Sequence, residues 1–316
     1  MDWLITPRRV SGCHNSCYSI HNGVLRGTAA ERGVGLPKFT LLWRIETLQL
    51  NSFDEITRDH RHIFLSPHLD DVVYSCGGTL GVQVSTGLRP LVITVFAGVP
   101  SSNIELSSLA AEIQRDMGFR QNPQTAMAIR REEDARALEY LNVDYLWLDY
   151  LDAIYRGTPA YYTQKSQLIG RDVHPADLWI DRELAQNLVA LHERLPDAVW
   201  YAPLGIGRHV DHQIVCSAVD RLIQLGANVK LYEDFPYVLR KDALEERLQE
   251  FGGTLEPALV EMSEMLHLRQ EASEMYSSQI QSNFPDRASM YHSMEDYSHG
   301  IRPVQTVHLE RYWTAR

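Results

Sequence analysis

Residues 63–97 constrain this chain more than any other stretch, because they read as an apolar run, a proline, an acidic turn, an apolar-spaced helix and a second apolar run. Ile63-Phe64-Leu65-Ser66 has the character of a short buried strand, and Pro67 stops it. A helix can begin at Asp71 and run to Val84 on apolar spacing. Gly87 and Pro90 then punctuate the chain before the apolar residues 91–97. Strand, helix and strand in that order form a βαβ unit, and its crossover makes the two strands parallel. His68, Asp70 and Asp71 therefore fall on a strand-to-helix turn. Such turns in α/β sheets face the crevice at the strand ends, where ligands bind.

The alternation continues downstream. Helical pattern over 126–141 leads to a strand at 144–148, helix 181–194 to a strand at 198–202, and a helix ending near Leu225 to a strand at 229–235. The tail predicts a strand over 254–260, helices over 263–281 and 286–297, and a final strand over 304–309. The expected fold is α/β and Rossmann-like, a mostly parallel sheet with helices on both faces. With 316 residues, 44% of them hydrophobic, the chain can bury one large core over residues 61–316. Residues 1–60 show no sustained period and read as an N-terminal extension packing on that domain. Residues 150–177 form a long, period-less, tyrosine-containing stretch, the kind of loop that makes a substrate wall.

A formal charge of −11 offers no basic footprint for nucleic acid. No apolar run is long enough to span a bilayer, and the first residues lack the basic-then-apolar order of a signal peptide, which predicts a cytoplasmic protein without membrane attachment. Four cysteines are too few for a disulfide scaffold and fit a reducing compartment. Cys13, His14, Cys17 and His21 do not match the usual structural zinc spacings, so surface or packing thiols are expected there.

A second constellation repeats the setting of the first. After the apolar run at 198–202 and a glycine-containing turn come His209, Val210, Asp211 and His212, at the start of a helix. Two strand-end turns of one parallel sheet can bring His68, Asp70 and Asp71 together with His209, Asp211 and His212. Taken alone, a histidine three residues before an aspartate is more often a helix cap than a ligand pair. A mixed set of imidazoles and carboxylates in two such turns suits zinc with an open position for water, and also admits Fe2+ or manganese.

Pro67-His68-Leu69-Asp70-Asp71 with His209-Val210-Asp211-His212 resembles the paired signatures of the PIG-L (LmbE-like) family of zinc-dependent de-N-acetylases, written His-Pro-Asp-Asp-Glu and His-Pro-Asp-His. The similarity spans roughly residues 63–225. The resemblance implies His68, Asp71 and His212 as metal ligands and Asp70 as general base. It further implies His209 as the group that meets the oxyanion and protonates the leaving amine, with Asp211 orienting it. Arg130, in an Arg-x-x-Glu segment, is implied as a substrate contact, although an ordinary charged helix face explains it as well. Asp149, Asp152 and Arg156 could meet sugar hydroxyls; of these Asp152 is taken as a substrate residue.

The chain also departs from the pattern. Leu69 and Val210 replace prolines, Val72 replaces the glutamate, and Gly207 stands where some members carry a catalytic tyrosine. Glu233 and Asp234 close a strand and read as a solvated turn or structural pair, although they could reach the crevice. The implied function is metal-dependent hydrolysis of an acetyl or similar acyl group from an N-acylated amino sugar or related small metabolite. The alternatives are an amidase acting on a sugar-thiol conjugate and a non-catalytic, metal-retaining Rossmann-like binding protein. A glycine-rich dinucleotide turn is missing after the first strand, which argues against a nicotinamide enzyme.

Overall fold

The computed structural model describes residues 46–316 apart from 120–121, 171, 304–305 and 316, together with two short strands near the N-terminus. These strands, β1 (Tyr18–His21) and β2 (Val24–Gly27), pair antiparallel. The chain divides into two compact units, Met1–Ile45 and Glu46–Arg316. Cys13, His14 and Cys17 and the apolar patch at 39–43 lie outside the described residues.

The second unit is built on an eight-stranded sheet in the order β3 (Gln49–Leu50), β6 (Asp144–Trp147), β5 (Pro90–Thr94), β4 (His62–Ser66), β7 (Val199–Pro203), β8 (Asn228–Tyr232), β10 (Leu309–Ala315) and β9 (Leu255–Glu261). Pairing from β3 across to β8 is parallel, and β10 runs antiparallel to both of its neighbours. Helix α1 (Asp71–Ser85) joins β4 to β5, while α2 (Ser108–Asp116) and α3 (Pro123–Leu141) precede β6. Helices α4 (Lys165–Leu168) and α5 (Leu178–Arg194) precede β7, and α6 (Val210–Gln224) joins it to β8. Helices α7 (Ala243–Glu250), α8 (Leu266–Glu274), α9 (Ser277–Asn283) and α10 (Arg287–Gly300) complete the unit. Among the described residues no helix is long and apolar enough to cross a membrane.

Strand β4 sits at the centre because Ile63, Phe64 and Leu65 are apolar without alternation and fully buried, as a strand covered on both faces requires. From β4 the chain builds outward through β5 to β6 on one side, and from β7 to β8 on the other. Right-handed crossovers in opposite directions put helices on opposite faces; α1 packs with α3 and α8, and α5 with α6. The reversal falls between β4 and β7, so the turns after these two strands border the crevice at the switch point.

Three expectations need correction. Residues 46–60, expected with the extension, belong to the second unit: β3 pairs with β6, and Leu50 and Ile56 are core residues. A two-residue strand is too short to show a period. The predicted helix over 263–281 is interrupted between α8 and α9, where the buried Tyr276 turns inward to donate to Asp134. The last strand is 309–315 rather than 304–309, because the charged Glu310 and Arg311 belong to it. Glu310 is buried, and its carboxylate accepts from the N–H groups of Gly78 and Thr79 in α1, each at 2.8 Å. Arg269 pairs with Glu310 at 3.4 Å and donates to the Tyr74 carbonyl at 3.0 Å. The two side chains thereby take backbone groups of α1 that ordinarily bond each other. The approach needs Gly78, since a Cβ there would lie 2.8 Å from the Glu310 carboxylate.

Helix α3 holds α9 through two buried carboxylates. Glu133 accepts from Ser277 Oγ and from both the N–H and Oγ of Ser278, and Asp134 accepts from Tyr276 Oη and Trp147 Nε1 at 2.7 Å each. Burial nonetheless pushes the Asp134 carboxyl up to about 7, from an ordinary value of 3.8. Between those values the folded chain binds more protons than the unfolded one, so the stability contributed by this group falls as pH rises from about 4 to 7. Replacing Asp134 with Asn should flatten that part of the urea-midpoint-against-pH profile. A slope equal to that of the unaltered protein would count against the assignment.

Candidate active site

His68, Asp70 and Asp71 lie on the turn from β4 into α1, and His209, Asp211 and His212 on the turn from β7 into α6. Asp70 occupies the N-cap position of α1, but its carboxylate makes no capping bond and lines the cavity instead. Asp71, the first helical residue, turns back to accept from the His68 N–H at 2.7 Å. At α6 the cap is His209, whose Nδ1 accepts from the Asp211 N–H at 3.2 Å. In the neutral ring this acceptance leaves the proton on Nε2.

The two turns converge. His68 Nδ1 lies 3.1 Å and His212 Nε2 3.3 Å from the same oxygen, Asp71 Oδ2. Each imidazole is backed through its other nitrogen by a carboxylate: His68 Nε2 by Asp211 Oδ2 at 3.0 Å, and His212 Nδ1 by Asp234 Oδ1 at 2.6 Å. Outer carboxylates of this kind fix the tautomer and ring orientation of metal-binding histidines. His212 Nε2 is fully buried and has no hydrogen-bond partner of its own. His68, Asp71 and His212 thus present three donor atoms within 4.8 Å of one another and fit a divalent cation. His68, His209 and Asp211 also cluster. There, however, the Asp211 oxygens are already taken by Arg156 Nη2 at 2.6 Å, His68 and the Ala153 N–H.

The electrostatics follow from burial and carboxylate density. Burial opposes charge on His68 and His212, but the hydrogen bonds from His68 to Asp211 and Asp71, and the Asp71 charge and Asp234 hydrogen bond at His212, outweigh it. His68 is held well above the ordinary imidazole value and His212 at about 9. Asp71 is held well below the carboxylate range, the His212 and His68 contacts overcoming its burial. The carboxylates around the two imidazoles thus favour positive charge there in spite of burial, which a bound cation would also supply. His209 is pushed down to about 4 by burial and stays neutral. Asp70 is pushed up to about 6 by burial and by Asp71, against the pull of Arg130.

Asp211 does not orient His209 through its carboxylate, as the resemblance implied; that carboxylate holds His68, and only its backbone N–H reaches the His209 ring. Arg130 is buried, with Nη2 3.6 Å from Asp70 and Nη1 3.4 Å from Asp152, and all three line the cavity. Asp152 also caps the turn over Ala153–Tyr155 and lies 4.0 Å from His68 Nε2. Arg156 is buried between Asp177 and Asp211, and Asp149 forms an exposed pair with Arg131, so neither lines the cavity. His174, His192, His267 and His292 do not line it either.

Glu233 and Asp234 are not solvated: both are buried. Glu233 ties β8 to β10 through Arg311 and Trp313, and Asp234, besides backing His212, accepts from the N–H groups of Gly205 and Ile206 at 2.8 and 2.9 Å. The one signal in the sequence was position, an acid closing an apolar strand beside those that carry the site. The cavity, about 240 Å3, has walls from distant parts of the chain: Ile113 and Met117 near α2, Tyr237 after β8, and Gln279, Ser282 and Asn283 on α9.

Sheet and site together define an α/β protein with a buried His/Asp cluster that could hold a divalent cation at its topological switch point. Residues 63–223 match the PIG-L family, described as GlcNAc-PI de-N-acetylase. The chain is 32% identical over 187 residues to 2'-N-acetylparomamine deacetylase of Niallia circulans, covering 55% of this chain and 66% of that protein. It is 31% identical over 232 residues to the enzyme of the same name from Streptomyces fradiae, covering 71% and 75%. Among solved structures it resembles the zinc-inhibited form of teicoplanin deacetylase Orf2, with a TM-score of 0.67, 25% identity, and coverage of 81% of this chain and 98% of that one. The chain belongs to the PIG-L family.

Proposed function

We propose that this protein is a zinc-dependent N-deacetylase that hydrolyses the acetamide of an amino sugar. The observation that carries the reading is the convergence of His68 Nδ1 and His212 Nε2 on Asp71 Oδ2, with each ring backed by its own carboxylate and the set opening onto a cavity. The names of the relatives, deacetylases of an acetylated paromamine and of teicoplanin, support an amino-sugar substrate.

A cation held by His68, Asp71 and His212 would acidify the attacking water and polarise the amide carbonyl. Asp70 takes the proton of that water as its oxygen bonds to the carbonyl carbon, and later delivers the same proton to the nitrogen as the carbon–nitrogen bond breaks. The products are the free amine and the acid, so atoms and charge balance. Arg130 holds Asp70 in place and Asp152 holds Arg130. His209, neutral with Nδ1 occupied, donates a hydrogen bond from Nε2 to the developing oxyanion. This arrangement favours Asp70 over His209 as the source of the amine proton.

The test is amine release from a panel of N-acetyl amino sugars that includes a 2'-N-acetylated aminoglycoside. It is run on chelated protein with zinc added back from sub-stoichiometric amounts upward, and with ferrous ion in parallel. Restored release with zinc is the expected result. Bound metal without hydrolysis across the panel would favour a binding protein, and release only from a sugar-thiol conjugate would favour the amidase.

Asp234 makes a sharper point. Asparagine there can keep an oxygen on the Gly205 and Ile206 N–H groups only by turning its NH2 toward His212 Nδ1, which moves the ring proton to Nε2, where the metal must bind. Asp234→Asn should therefore weaken metal affinity about 10- to 100-fold, read by competition with a chromogenic chelator. Unchanged affinity would remove Asp234 from the site.

A further inference from the structure

Tyr237 lines the cavity beside the His/Asp cluster and has no part in the reaction described under the proposed function. Gly207, two residues before His209, has φ +82, and a Cβ built there would lie 2.7 Å from Cδ1 of Tyr237. Position 207 is thus glycine for two reasons: the backbone is left-handed, and the Tyr237 ring fills the space that a side chain would occupy. Tyr237 comes from another part of the chain, the single turn Tyr237–Leu239 after β8, beyond the stretch that matches the family.

Its surroundings are those of the reacting centre. Tyr237 lines the cavity together with His68, Asp70, Asp71 and His209, and its ring meets His212 edge-on with centroids 5.5 Å apart. His209 lies against the same imidazole at 5.6 Å. Among the described residues the Tyr237 hydroxyl has no hydrogen-bond partner, as is also true of the buried Tyr74, whereas the buried tyrosines 155, 162, 201, 232, 276 and 312 have one. A phenol is protonated at neutral pH and so is a donor. Asp70 and Asp71 line the same cavity, and after burial theirs are the charges that weigh most on the phenol.

We infer that Tyr237 is a catalytic residue, its phenol donating a hydrogen bond to the carbonyl oxygen of the scissile amide as that oxygen becomes anionic. It shares this task with His209. The inference rests on the deacetylase reading above and adds to it a group from outside the paired motifs. A packing role alone would be met by the ring; a donor role needs the oxygen.

Tyr237→Phe separates the two, because it keeps the ring against Gly207 and His212 and removes only the hydroxyl. With the best substrate of the panel, kcat should fall about 10²- to 10³-fold, with KM within about two-fold and with metal stoichiometry and thermal midpoint unchanged. Affinity for a tetrahedral phosphonamidate analogue of the amide should fall in parallel, while affinity for the amine product should not. Gly207→Ala, which must push the tyrosine aside, should also lower kcat. Unchanged kcat and analogue affinity in Tyr237→Phe overturn the inference, and so does a loss of bound metal that accounts for the lost turnover. Wild-type protein without turnover on any amide would defeat the deacetylase reading and this inference with it, a result distinct from active wild type with an equally active phenylalanine variant.

Discussion

Asp70→Asn is expected to lower kcat by about 10²- to 10⁴-fold, the range that a positioned general base supplies, while bound metal stays at the wild-type level. Asparagine has nearly the volume of aspartate but cannot accept the proton of the attacking water. Asp70 is not one of the three donors that meet around Asp71 Oδ2, so its replacement leaves the cation's seat intact. It also removes a carboxylate that burial and Asp71 both disfavour, so the variant should be no less stable than the wild type. Metal analysis and single-turnover kinetics on the same sample decide the matter. Wild-type turnover in Asp70→Asn would eliminate it as the base, and loss of metal would move it among the ligands.

His212→Ala should abolish both metal and turnover. The substitution removes one of three donors and strips Asp234 of its imidazole, leaving a carboxylate that is 1% exposed short of one of its partners. Wild-type protein in a metal concentration 100 times its Kd gains about 2.7 kcal/mol of stability, visible as a rise in the thermal midpoint that a chelator reverses. His212→Ala should show no such rise at the same concentration. A variant that still binds one equivalent of metal at wild-type affinity would mean that the cation sits elsewhere, the second cluster of His68, His209 and Asp211 being the place to look. Imidazole added to the variant offers a further check, since a small ligand entering the vacated space should restore part of the turnover.

Much of the site was legible because its residues sit in two short runs, each fixed to a strand end by local chemistry. An apolar run, a stop and an acidic helix start place His68, Asp70 and Asp71 on one turn whatever the rest of the chain does, and the same holds for His209, Asp211 and His212. Their meeting was legible only as far as two parallel strands could be assumed to be neighbours. Asp234 is legible in the sequence only as an acid that could reach the crevice, because a single acid at a strand end looks the same whether it faces solvent or an imidazole. Tyr237, on the turn after β8, and the α9 residues Gln279, Ser282 and Asn283 carry no local pattern that marks them for the cavity; tertiary packing brings them there. The resemblance implies that Asp211 orients His209, but its carboxylate bonds His68; a shared motif does not show which ring a helix-start side chain reaches.

What the sequence alone determined is therefore the local part: a mostly parallel α/β architecture, the two strand-end turns that carry the candidate ligands, and the chemistry open to their side chains. Hydrophobic period and turn residues act over a few positions, and those signals survive without coordinates. The tertiary structure decided which carboxylate backs which imidazole, which oxygen the two histidines share, and which distant residues wall the cavity. Those outcomes depend on the order β5-β4-β7-β8 and on a C-terminal segment packed against α1 and α3, contacts between residues far apart in the chain that no local pattern encodes.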